Sequence, residues 1–312
     1  MGEFAIQTED LTRTFGAVCA VDRLNLAVPY GTTFGIIGPR TAGKTTTIRL
    51  LLGLLPPTSG TATVLGYDVA TQSNAIRQHT GALLAEAGLY ERLTAHENLD
   101  YFGRIWHMGG SDRRARSRTL LTRLGLWELR DLPVGTLDEP ARRRLSLARA
   151  LFHHPTVLFL DEPTAHLDHA DAVALRQDLA QLMSHEGVTA ILTTSSLVEA
   201  EALCTTLAVM RRGHLVADGA LAELRRRRGI PLVEMVGHGF TDSVLALINR
   251  RPEVARSRRV DNRLLLQLTD DVPIAPLISL LVESGVDLEE VRKNPADMQS
   301  LLVEFLQEEG LP

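Results

Sequence analysis

Apolar positions along most of the chain fall in short runs bounded by glycine, proline or polar residues. Runs at residues 5–8, 24–28, 32–37, 61–65, 81–85, 157–161 and 190–194 have the length and composition of strands. A further pair, 207–210 and 214–217, predicts a hairpin turning at Arg212-Gly213. Between residues 81–85 and 157–161 the pattern changes to a helical stretch from about 95 to 129. Strands alternating with helices, interrupted once by helix, predict an α/β core with a helical insert at about 90–155.

The run Arg225-Arg226-Arg227-Arg228-Gly229 marks a change. Beyond it the pattern reads strand 231–236, helix 242–249, strands 254–260 and 263–268, helix 273–283, strand 286–292 and helix 296–309. Asp261-Asn262 is the expected turn between the paired strands. The order β-α-β-β-α-β is that of a ferredoxin-like α+β unit. The expected domains are residues 1–224 and 225–312, and no catalytic constellation occurs in the second. The arginine run reads as a solvated helix end, with contact to lipid headgroups or a partner as the alternative.

Bulk properties narrow the class. A net charge of −5 over 312 residues implies no general nucleic-acid affinity. Apolar stretches are shorter than the roughly 18 residues a bilayer span needs. Met1-Gly2-Glu3-Phe4 opens no secretory segment, so a cytosolic compartment is expected. Two cysteines, Cys19 and Cys204, form no disulfide or metal pattern and are expected as small core fillers.

The chemistry concentrates in one loop. Residues 38 to 45 read Gly38-Pro39-Arg40-Thr41-Ala42-Gly43-Lys44-Thr45, the spacing of a phosphate-binding loop. The strand at 32–37 runs into it, and Thr46 opens a helical segment, 46–52, that leaves it. That order lets backbone N–H groups wrap nucleotide phosphates. Lys44 is expected at the β- and γ-phosphates, and Thr45 at Mg²⁺ through its hydroxyl. Of 33 basic residues only Lys44 and Lys293 are lysines, and a compact ammonium suits such a loop. The strand at 157–161 ends in Asp161, the expected acidic partner of Mg²⁺. Glu162 follows; strand alternation aims it the other way, where it would polarise an attacking water as the catalytic residue. The chain has no Asn-Lys-x-Asp stretch, which argues against a GTPase.

With these residues in place the chain resembles the nucleotide-binding subunit of an ATP-binding-cassette (ABC) transporter. It is most similar to single-cassette subunits of drug and antibiotic exporters of the daunorubicin-resistance type. The resemblance covers roughly residues 4 to 222. Besides the loop it is carried by Leu11-Thr12-Arg13-Thr14-Phe15-Gly16, Leu89-Tyr90-Glu91-Arg92-Leu93-Thr94 and Glu97-Asn98-Leu99. Arg144-Leu145-Ser146-Leu147-Ala148-Arg149-Ala150-Leu151, Leu160-Asp161-Glu162-Pro163-Thr164, Leu167-Asp168 and Glu199-Ala200-Glu201-Ala202-Leu203-Cys204 complete it. The resemblance implies a RecA-like core, an antiparallel β subdomain and a helical subdomain, followed by a small C-terminal α+β domain. It implies ATP with Mg²⁺, and Phe15 stacking on adenine. It also implies a second cassette, the same or different, that closes head to tail on ATP. A membrane-spanning permease would hold the chain at the inner face of the membrane.

Four stretches depart from the family. Ala85 stands in the register of a glutamine that links Mg²⁺ and water to the membrane partner; a one-residue slip would put Glu86 there. Leu137-Asp138-Glu139-Pro140-Ala141 stands in place of Leu-Ser-Gly-Gly-Gln. Asp138 or Glu139 is expected to cap the following helix, with Pro140 at its first position, so a carboxylate replaces the clamp on the opposite subunit's γ-phosphate. Ser195-Ser196 replaces the switch histidine, and His153, His154, His166 and His169 are expected as surface or packing residues. Thr41 replaces a glycine and would be strained at positive φ. The implied function is an exporter ATPase with slow hydrolysis. The alternative is a nucleotide-gated structural cassette without significant turnover. A soluble, non-transport ABC protein is a weaker third, because such proteins often join two cassettes in one chain.

Overall fold

The first strand of the computed structural model, which describes residues 3–85, 88–227, 232–269 and 272–294, continues well past the apolar run that predicts it. Strand β1 (Phe4–Phe15) pairs antiparallel with β2 (Val18–Pro29). Its alternation breaks at Asp10, which sits at φ 47°, and pairing shifts register between Thr8 and Leu11 before resuming at Leu11 and Leu24. This bulge hides the second half of the strand from a period-two search. With β4 (Ser59–Val64) and β5 (Tyr67–Asp68) these strands form an antiparallel sheet in the order β2-β1-β4-β5.

A second sheet carries β3 (Thr33–Ile37), β6 (Thr80–Leu83), β7 (Val157–Asp161), β8 (Thr189–Thr194), β9 (Thr206–Arg211) and β10 (His214–Ala220). Its order is β10-β9-β3-β8-β7-β6, parallel except for β10. Parallel strands are covered on both faces and so read as unbroken apolar runs; every residue of β7 is buried. Helix α1 (Lys44–Leu51) places Ile48, Leu50 and Leu51 in one core cluster with Ile36, Phe159 and Ile191 and with Ile6 and Leu24 of the first sheet. Burial of these side chains, each stabilising by roughly 1.5–3 kcal/mol, holds the loop before α1 between the two sheets.

After α2 (Ser73–His79), the insert resolves into α3 (Ala95–Ile105), α4 (Gly110–Arg123), a 3₁₀ turn at Trp127–Leu129, and α5 (Glu139–Leu151). Thr94 and Glu97 form a reciprocal capping box at the start of α3. The single helical stretch expected from 95 breaks because His107 adopts φ 55° and Gly109 and Gly110 follow. Helices α6 (His169–Glu186), α7 (Leu197–Leu203) and α8 (Leu221–Arg227) complete the description up to residue 227.

Contacts divide the chain into Met1–Leu221 and Ala222–Pro312. The second unit holds β11 (Leu232–His238), α9 (Asp242–Ile248), β12 (Val254–Val260), β13 (Arg263–Leu268), α10 (Ala275–Glu283) and β14 (Asp287–Asn294). Its sheet is antiparallel in the order β12-β13-β11-β14, the arrangement of a ferredoxin-like unit. Val233, Met235, Val244, Ile248, Leu264, Leu266, Leu277 and Leu281 form its own core. Arg228, Gly229, residue 231 and the helix expected at 296–309 lie outside the described residues. Among the described residues no helix is long and apolar enough to cross a membrane.

Candidate nucleotide-binding site

The carboxyl ends of β3, β7 and β8 lie side by side, so the segments leaving them meet at one edge of the parallel sheet. There Gly38 to Gly43 turn the chain into α1. Gly43 sits at φ 98°, and a Cβ on it would come within 2.1 Å of the Ala20 carbonyl oxygen. A Cβ on Gly38 would come within 2.2 Å of the Met210 carbonyl oxygen. Both glycines therefore answer to close backbone approach as well as to the motif. The turn of the β9–β10 hairpin braces the loop, since Gly213 N–H donates to the Ala42 carbonyl at 3.0 Å. Thr41 is not among the described residues with positive φ, so the strain expected there is absent. Gly43, two residues on, takes the left-handed conformation instead.

A cavity of about 310 Å³ opens on this loop, lined by Val18, Cys19, Ala20, Arg40, Thr41, Gly43, Lys44, Thr45, Thr46 and Arg212. A larger cleft of about 720 Å³ in the C-terminal unit is lined by Gly237 to Thr241 with Arg259, Asp261 and Asn262. That cleft has no counterpart to the lysine and carboxylate set described next. Cys19, expected in the core, is exposed at the smaller cavity. Cys204 is buried as expected, and burial pushes its thiol up to about 12. Arg212 reaches the cavity from the turn of the β9–β10 hairpin, and a turn arginine carries no motif by which sequence could show it.

Lys44 is 3% exposed. Its ammonium donates to the carbonyls of Gly38 at 2.7 Å and Pro39 at 2.9 Å and pairs with Glu162 Oε1 at 3.0 Å. Those three partners match the three protons of the ammonium. Thr45 Oγ1 donates to Asp161 Oδ1 at 3.0 Å, and Thr193 Oγ1 donates to the same oxygen at 2.6 Å. Thr193 comes from the neighbouring strand β8, so nothing local to Asp161 announces it.

Glu162 does not continue the strand. It adopts φ 48°, and its N–H donates to the Thr193 carbonyl at 3.0 Å. A left-handed non-glycine residue costs roughly 1–3 kcal/mol, which the surroundings must offset. The turn swings its carboxylate toward Lys44, so strand alternation misstates its direction. Both Asp161 and Glu162 face the loop. Glu162 Oε2 accepts from the Ser195 backbone N–H at 3.1 Å and from its hydroxyl at 3.3 Å.

Other expected residues fall further off. Phe15 ends β1, 43% exposed, with the Arg13 guanidinium 4.5 Å from its ring centroid; it does not line the cavity. Ala85 is exposed beyond β6, and Glu86, the alternative for that register, lies outside the described residues. Asp138 is the capping residue of α5, accepting from Ala141 N–H at 2.9 Å. Glu139 is the first helical residue and approaches Arg142 at 3.6 Å, so Pro140 takes the second position rather than the first. His153 packs against Trp106.

The donor set suits Mg²⁺ with a nucleotide. Thr45 and Asp161 present hard oxygens 3.0 Å apart. Among the described residues no group of three or more His, Cys, Asp or Glu forms an ion cage, so phosphates and water would have to complete the shell.

Residues 21–165 match the ABC transporter family. A daunorubicin resistance ATP-binding protein of Streptomyces coeruleorubidus is 35% identical over 295 residues, covering 93% of this chain and 92% of that protein. A doxorubicin resistance ATP-binding protein of Mycobacterium tuberculosis is 31% identical over 95% of this chain and 89% of its own. Among solved structures, an ATP-binding subunit of an ABC transporter superposes with a TM-score of 0.65 at 24% identity, over 72% of this chain and 92% of that one. A dimeric ATP-binding cassette in a post-hydrolysis state with ADP and Pi gives 0.63 at 23% identity, over 69% and 98%. These two structures share the fold of the larger unit.

Proposed function

This chain belongs to the ATP-binding subunits of ABC transporters, and from that membership we propose that it powers an exporter through slow hydrolysis of Mg-ATP at the Lys44 loop. The contact that carries the reading is the Lys44–Glu162 pair at 3.0 Å, with Thr45 on Asp161 beside it. Arriving phosphates need the ammonium, whose three donors are all engaged. Of its three acceptors only Glu162 is on a side chain, so it is the one that can yield without moving the main chain. Phosphate binding then releases Oε1, while Ser195 keeps hold of Oε2. The freed oxygen takes a proton from water as that water attacks the γ-phosphorus and ADP leaves. Mg²⁺, held by Thr45 and Asp161, would neutralise charge on the phosphate oxygens. Phe15 is the proposed adenine contact, reached once Arg13 moves off its ring.

Four residues, in three of the departing stretches, support slow turnover. Asp138 and Glu139 bring carboxylates to the helix terminus that would meet a phosphate across the dimer, Ser195 has no titratable nitrogen, and Ala85 has no polar side-chain atom. A membrane-spanning permease and a second cassette complete the proposed assembly. Tyr90, Tyr101, Ile105 and Leu132 are exposed on the helical insert and offer an apolar surface for the permease. Titration calorimetry of the full chain with Mg-ATP tests the reading. Wild type binds, and Lys44→Ala weakens binding tenfold or more because the phosphate charge loses its buried partner. Absence of binding to folded wild type would overturn it.

A further inference from the structure

Arg143 lies in the second turn of α5, 6% exposed, and its guanidinium reaches main-chain oxygens at the ends of two strands. Nη2 donates to the Glu162 carbonyl at 2.6 Å, Nε to the Pro163 carbonyl at 2.8 Å, and Nη1 to the Leu84 carbonyl at 3.2 Å. The first two oxygens follow β7, and the third follows β6. Burial holds this guanidinium's pKa below its ordinary value, with Glu139, Asp161 and Glu199 opposing the shift.

The grip falls on the peptide that aims the catalytic carboxylate. Glu162 is left-handed, with its N–H held by Thr193 and its carbonyl held by Arg143 and by Ala165 N–H at 3.1 Å. That peptide sets where the side chain leaves the main chain, since no strand pairing continues past Asp161, and Lys44 and Ser195 then hold its carboxylate. We infer that Arg143 is a positioning residue for hydrolysis: its planar fork fixes the peptide of Glu162 and ties it to the α5 helix that Asp138 caps and to the exit of β6. A lysine can replace it only in part, because one ammonium keeps the charge and some hydrogen bonds but presents no planar fork to three carbonyls. The inference rests on Glu162 acting as the base.

The test uses the full chain in excess over labelled Mg-ATP, so that a single round of hydrolysis is timed apart from product release. ATP affinity by calorimetry and the thermal unfolding midpoint are measured beside it. Arg143→Met is expected to slow hydrolysis at least tenfold with ATP affinity within threefold of wild type, because misplacement of a reacting group costs rate rather than binding. Arg143→Lys is expected to recover part of the rate. The double variant Arg143→Met with Glu162→Gln should hydrolyse no more slowly than Glu162→Gln alone, since the arginine acts through that side chain.

A folded Arg143→Met protein within twofold of the wild-type rate overturns the inference. So does an affinity loss equal to the rate loss, or a double variant tenfold below Glu162→Gln. If the methionine variant does not fold, Arg143→Lys decides by the same rate and affinity criteria. If neither folds, the residue is a determinant of the fold and the positioning role is rejected. Glu162→Gln hydrolysing at the wild-type rate removes the base assignment itself. A Glu162→Gln protein that no longer hydrolyses ATP, beside an unaffected Arg143→Met, removes only the positioning role.

Discussion

His153 is the clearest case of a single residue whose setting decides its protonation. Its ring stacks on Trp106 at 4.1 Å and 10°, and Nε2 faces the Thr80 carbonyl at 3.1 Å. Burial lowers its pKa to about 4, with the nearby Arg116, His154 and His79 pushing the same way and the Thr80 hydrogen bond opposing. An unfolded chain titrates near the ordinary value of about 6.5. Between those two values the unfolded state binds the proton and the folded state does not, so stability falls as pH falls through that window. The stability contribution is intact above about 6.5, and one proton gives a slope of up to ~1.4 kcal/mol per pH unit. Urea unfolding of wild type and His153→Gln at pH 5 and pH 8 should show a flatter pH dependence in the variant. Equal differences between the two pH values in both proteins would remove this account. Its place among surface or packing residues was readable from sequence, but its neutrality was not. Trp106 lies 47 positions away, and only the fold brings the rings together.

At the scale of elements, the first turn of α5 shows how one residue stabilises a helix end. Asp138 caps the helix through Ala141 N–H at 2.9 Å, and its carboxylate also favours the positive helix terminus. Asp138→Ala should lower unfolding free energy by about 1 kcal/mol, and Asp138→Ser should lose less because a serine hydroxyl also caps. Denaturant titration checks both. A loss in Asp138→Ser as large as that in Asp138→Ala would show that the cap is not what stabilises this turn. Capping signals of this kind are short in sequence, so a cap at Asp138 or Glu139 was legible, and the structure gives it to Asp138. The extent of β1 was not, because the Asp10 bulge resets its alternation, and neither was the break between α3 and α4.

For the whole molecule the issue is the proposed second cassette, with which this chain would share its nucleotide sites. In a homodimer each site would combine Ser195 of one chain with Asp138-Glu139 of the other. Beside an intact partner cassette, one site would still lack the switch histidine and the other the signature. Each arrangement leaves a part missing, so steady-state ATP turnover should be slow in all of them. A variant carrying Ser195→His, Asp138→Ser, Glu139→Gly and Pro140→Gly together should turn over faster than wild type. Single replacements should help little, since residues that act as a unit are not additive. A wild-type rate of roughly 1 per second or above, unchanged in the variant, contradicts the slow-turnover proposal.

The sequence by itself determined the strand–loop–helix order, the phosphate loop, the apolar run ending at Asp161 and the ferredoxin-like order of the second unit. Each of these is written in consecutive residues, where local propensity and hydrophobic period act. Tertiary structure alone decided that Glu162 turns to Lys44, that Thr193 shares Asp161, that Ser195 holds the second oxygen of Glu162, and that Arg143 grips its carbonyl. The reason is physical. Parallel strands bring together residues 31 to 33 positions apart, and a buried guanidinium in α5 finds carbonyls at the ends of two strands. Such pairings depend on where the strands end in space, and no local pattern in the chain encodes that.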